Sequence, residues 1–160
     1  MAKLARTIRF DESDENVFAR PAQPGEWAIA GGFEFSNWSD GDLTGKARQA
    51  FANGWLGLSS FGRSTFVAVA QSEEAELEAL ATDLAGHFVA LYGAPSVEAA
   101  LDAARGEIAF MQELCEDHAP NTLLVVNREL TEAGVKEQFR AIEPAEAEID
   151  LVAVHGSLDG

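Results

Sequence analysis

Leu77, Leu80, Leu84, Phe88 and Leu91 recur at i, i+3, i+7, i+11 and i+14, which is a single apolar stripe along a helix. Ser72 is placed to cap that helix, and Glu73, Glu74 and Glu76 put negative charge where the macrodipole favours it. Gly93 supplies a left-handed stop, and Pro95 prevents continuation. Ser96 then caps a second helix with Val97, Leu101, Ala104, Ile108, Met111 and Cys115 on one face. A connection of about three residues forces the two helices antiparallel. This αα-hairpin, 73–92 with 96–117, constrains the fold most. Two long helices in direct succession break the strand–helix alternation of a parallel α/β protein. The expected class is therefore α+β: an antiparallel or mixed sheet of four to five strands with the hairpin packed on one face.

The strands are sought on either side. Residues 3–10 alternate loosely, 11–16 form a polar break, and 17–20 read as a short extended piece stopped by Pro21 and Pro24. In 26–35 Trp27, Ile29, Phe33 and Phe35 share one face at period two, with Gly31-Gly32 marking a bulge or turn. Thr44 is an N-cap for a helix ending at Asn53-Gly54. Residues 61–70 are rich in β-branched side chains, and 121–130 carry TLLVV, an apolar run suited to a central strand. Thr131 is read as the cap of a short helix through Phe139. Residues 1–142 are expected to form a single domain, and 143–160 a tail that adds an edge strand and then frays.

Net charge is −16 over 160 residues. That field repels phosphate backbones and anionic lipid, so nucleic-acid and membrane partners are excluded as expectations. No run approaches a membrane span, and the N-terminus lacks the apolar core of a secretory signal. Cys115 is the only cysteine, which points to a reducing, cytoplasmic setting.

The chemistry-bearing motifs are sparse. Cys115 and His118 lie one helical turn apart, but a closed zinc site needs four ligands and nothing supplies the rest. No metal and no cofactor are expected. His87 reads as a structural histidine at the edge of the apolar stripe. Ser64 lacks the second glycine of a nucleophile elbow, and neither GGF at 31–33 nor GLSSFG at 57–62 matches a phosphate-binding framework.

One composition anomaly remains. No Asp or Glu occurs between Asp42 and Glu73; the thirty residues 43–72 carry +3, so the rest of the chain sums to −19. Burial explains the apolar side chains of this window, but not the sign of Lys46, Arg48 and Arg63. Small residues in GWLGLSSFG allow close backbone approach, and aromatic and arginine side chains anchor interfaces. Trp55, Phe61 and Arg63, with Lys46 and Arg48, are therefore expected at a partly exposed protein contact, most simply with a second copy of this acidic chain. The expected function is a non-catalytic accessory or protein-binding module that forms a homodimer or binds another protein. The alternative is a small enzyme or metal-dependent protein using Arg63, Cys115 and His118.

Three stretches carry a resemblance: TIRFDESDENVFARPAQPGEWAIAGGFEF, LTGKARQAFANGWLGLSSFGRSTFV, and YGAP at 92–95. Over residues 3–142 the chain resembles a bacterial family of small uncharacterised proteins, a domain of unknown function. The resemblance implies an accessory role beside oxidoreductase maturation. It implies no catalytic residue and no cofactor.

Overall fold

The structure is a computed structural model that describes residues 2–9, 13–36 and 38–142. Seven strands form one sheet: β1 Ala2–Ile8, β2 Trp27–Ile29, β3 Trp55–Gly57, β4 Arg63–Ser64, β5 Phe66–Ser72, β6 Leu123–Thr131 and β7 Gly134–Ile142. Their order is β4-β3-β2-β1-β5-β6-β7, every neighbouring pair antiparallel. The helices are α1 Ser13–Val17, α2 Gly45–Asn53, α3 Glu74–Tyr92 and α4 Val97–Glu116. The α+β class holds, but the sheet has seven strands where four to five are expected. The expectations for 143–160 lie outside the described residues.

Part of the surplus comes from fragments too short to show a period. β3 and β4 have three and two residues. The stretch expected as one strand over 61–70 is broken at Thr65 into β4 and β5. The remainder is β7, which replaces the helix expected after Thr131. Val135, Phe139 and Ala141 alternate with Lys136, Gln138 and Arg140, and nine residue pairs zip β7 onto β6 from Leu123↔Ile142 to Thr131↔Gly134. Gly134, at φ 116°, makes the tight turn possible. Pairing along a whole strand outweighs the helix propensity of Lys, Gln, Arg and Ala here.

Two further corrections concern local geometry. Residues 17–20 are not extended; α1 occupies the polar break, and Phe18 behind it is buried. The strand expected through Phe35 stops at Ile29 because Gly31 takes φ 73°, turning the chain into a 3-10 turn over Gly32–Phe35.

The helical hairpin is present. Ser72 is not its cap, since it ends β5 with a buried side chain and Glu73 holds the N-cap position. Gly93 closes α3 at φ 73°, and the Ser96 hydroxyl accepts a bond from the Ala99 N–H at 3.0 Å. Leu77, Ala81, Leu84, Ala85 and Phe88 of α3 are buried, as are Ala100, Ala104, Ile108, Met111 and Cys115 of α4. α4 lies against β1 and β2. Leu91 and Val97, expected on the buried faces, are exposed at the closed end of the hairpin.

The sheet is strongly curled. β3 and β7 are five strand steps apart in the order, which would separate them by roughly 24 Å in a flat sheet. Yet the rings of Trp55 and Phe139 lie 5.7 Å apart, and the Asn53 side chain donates to the Val126 carbonyl at 3.0 Å. Right-handed twist brings the two ends of the sheet together. α2 lies against β6 at this closure.

Candidate functional site

The closure is held by two buried arginines. Arg63 stands in β4 and Arg128 in β6, near opposite ends of the sheet order. Arg63 donates to the carbonyl oxygens of Gly54 and Gly31, each at 3.1 Å, and pairs with Glu34. Arg128 donates to the carbonyls of Gly54 at 2.9 Å and Phe51 at 3.0 Å, to Ala30, and to Glu137 at 2.7 Å. Both guanidinium groups lie over the Phe35 ring, 4.6 and 5.2 Å from its centroid. Two like charges share one buried place because carbonyls at the C-terminal end of α2, with Glu34 and Glu137, offset them. Burial pulls the Arg63 pKa down to about 10, with Glu34 opposing and Arg128 reinforcing the drop. Arg128 shifts the same way by burial, opposed by Glu137. Arg63 remains charged at neutral pH.

This geometry corrects the expected surface. Arg63 is 5% exposed and Trp55 0%, so neither stands at a contact face in this conformation. Phe61, at φ 58°, is also buried and stacks on His87 with centroids 4.3 Å apart. Lys46 and Arg48 are exposed in the first turn of α2, away from the buried trio. The five residues do not form one patch.

The acid-free window has a structural answer. Its polar groups are met by carboxylates that enter from earlier in the chain. Asp14 accepts from the Thr65 hydroxyl at 2.6 Å. Glu26 accepts from the backbone N–H groups of Ser59 and Ser60, both at 2.9 Å, and from the Ser60 hydroxyl at 2.7 Å. Glu34 pairs with Arg63. A further acid inside the window would compete for the same donors at a desolvation cost.

Of the enzyme-like candidates, Cys115 and His118 are neighbours, the His118 N–H donating to the Cys115 carbonyl at 3.1 Å. Cys115 is fully buried, and burial pushes its thiol up to about 12, opposite to what a nucleophile needs. His118 is half-buried; its backbone carbonyl accepts from Lys3 Nζ at 2.7 Å. Among the described residues no cluster of three or more His, Cys, Asp or Glu could hold a metal ion.

An open cleft of about 480 Å³ lies beside the arginine pair, between α4 and the turn that follows β2. Phe33 and Phe110 wall it, Gly32 and Gly106 leave it open, and Glu107 and Glu137 supply its charge. A Cβ at Gly32 would meet the Glu137 carboxylate and displace it. Glu137 is anchored by Arg128. Glu107 is pushed above the usual carboxylate range by burial and then by the Glu137 charge. Tyr92 packs on Phe33 with centroids 5.5 Å apart, and burial followed by Glu34 raises its phenol pKa. Sequence reasoning missed Glu107 and Glu137, thirty residues apart and on different elements, and no local signal links them. Arg128, which the sequence reading did not single out, carries a local signal: it falls on the same strand parity as Leu124 and Val126, the apolar side of β6.

A curled antiparallel sheet closed by an arginine pair, with a helical hairpin across it and an open cleft beside the pair, defines a small α+β protein. The chain belongs to the family described as "Family of unknown function (DUF6505)", whose model matches residues 1–160. The match therefore takes in the tail that the resemblance over 3–142 leaves out. No curated protein and no solved structure matches it. No helix among the described residues is long and apolar enough to cross a membrane.

Proposed function

We propose that the protein is a non-catalytic accessory or protein-binding module of the cytoplasm that pairs with a second copy of itself through the closed end of the α3–α4 hairpin. One observation carries this reading. Leu91, Tyr92 and Val97 are 58%, 44% and 41% exposed and gather where the two helices meet. Large apolar side chains grouped on a surface mark contact sites. Two copies of net charge −16 repel across most of their surfaces, so an apolar end is where they approach at least cost. A stable contact buries roughly 800 Å² on each partner, so neighbouring residues of both helices take part. The single reduced, buried cysteine supports the cytoplasm.

The enzyme reading has less support. Its arginine is saturated by carbonyls and Glu34, and its thiol is held protonated. Sedimentation at tens of micromolar tests the proposal. The wild type should run as a dimer, and Leu91→Glu with Val97→Glu should run as a folded monomer by circular dichroism. A wild-type monomer at that concentration refutes self-pairing.

A further inference from the structure

Glu107 is a half-buried carboxylate that makes no hydrogen bond or ion pair among the described residues. The charge that acts on it most is the like-signed Glu137 across the cleft. The cation beside Glu137, Arg128, is committed to that carboxylate and to backbone carbonyls of Phe51, Gly54 and Ala30. A carboxylate partly removed from water and facing another carboxylate is unfavourable unless a positive group joins it. The cleft has the size of a small-molecule site, and its lining includes two aromatic rings, groups that attract cations.

We propose that this cleft binds a small organic ammonium ion, its nitrogen against Glu107 and Glu137 and its hydrocarbon part against Phe33 and Phe110. A divalent metal fits less well. It would need several more oxygen ligands, and the rest of the lining is apolar. A neutral ligand would fill the space yet leave the two carboxylates opposed. The acidic surface as a whole draws cations toward the cleft. Self-pairing through Leu91 and Val97 does not enter this inference, and either can hold alone.

The probe is phenethylammonium, titrated into the full chain and followed by amide shifts in NMR, with 2-phenylethanol as the uncharged counterpart. Saturable shifts should centre on residues 30–33, 103–110 and 137. The alcohol should bind at least about tenfold more weakly, a difference of about 1.4 kcal/mol. Glu107→Gln should weaken the amine by a similar factor with its urea midpoint unchanged, and Phe110→Ala should weaken amine and alcohol alike. Glu116→Gln, at the C-terminal end of α4, controls for general attraction of cations and should leave binding as it is. Equal binding of amine and alcohol, undiminished binding to Glu107→Gln, or no saturable shift up to about 10 mM overturns the proposal.

Discussion

Arg63 and Arg128 share acceptors: both donate to the carbonyl oxygen of Gly54, at 3.1 and 2.9 Å, and both reach that of Ala30. The residues belong to strands near opposite ends of the sheet, so these oxygens mark where the curl closes. It follows that removing either arginine should loosen the closure as well as leave a buried partner without its charge. Arg63→Ala is expected to cost about 3–5 kcal/mol, the range for breaking one side of a buried pair. Arg48→Ala, exposed on α2, should stay within about 0.5 kcal/mol. Urea titration of the two variants checks this, and equal midpoints would mean that Arg63 is not buried in solution.

Leu84 and Leu91 share a stripe in the sequence but not an environment. Leu84 is 1% exposed and Leu91 58%. Leu84→Ala should cost about 2–5 kcal/mol through lost transfer energy and the cavity left behind. Leu91→Ala should change the stability of the monomer by less than about 0.5 kcal/mol. Denaturation at low protein concentration separates this effect from any self-association.

Cys115 gives a pH dependence of known sign. Its thiol is pushed from 9.0 up to about 12 in the folded chain. Between those values the unfolded chain loses the proton that the folded chain keeps, so stability falls as pH rises. The contribution is whole below pH 9 and should fall by about 1.4 kcal/mol per pH unit above it until the folded thiol itself ionises. Comparing urea titrations at pH 8 and pH 10.5 for wild type and Cys115→Ala isolates the thiol from other alkaline groups. An identical pH dependence in both would remove this explanation. Native Cys115 should also resist iodoacetamide at pH 8 and react once unfolded.

Glu26 clamps the loop between β3 and β4. With Glu26→Ala, the N–H groups of Gln23, Ser59 and Ser60 lose their charged acceptor, at about 1.5–3 kcal/mol, the range for a hydrogen bond to a charged group. The expected outcome is a less stable fold with selectively faster amide exchange at Ser59 and Ser60. Uniform exchange across the chain would argue against a local clamp.

What the sequence determined by itself is its local, periodic content. The Leu77–Leu84–Phe88 stripe, the Gly93 stop and the Ser96 cap act within one or two turns, so the hairpin could be read residue by residue. The same holds for β6, the helix after Thr44 and the α+β class. The tertiary structure alone decided how those pieces curl. β3 and β4 are too short to carry a period, and β7 is a strand only because β6 lies beside it. Arg63 looked like a surface anchor because its acceptors, Gly54, Gly31 and Glu34, are backbone atoms and a distant acid that only the closed sheet assembles. The same closure brings Glu107 and Glu137 to one cleft. Period and propensity act between neighbours in the chain, whereas curl, burial of charge and the meeting of distant carboxylates depend on contacts across the sheet.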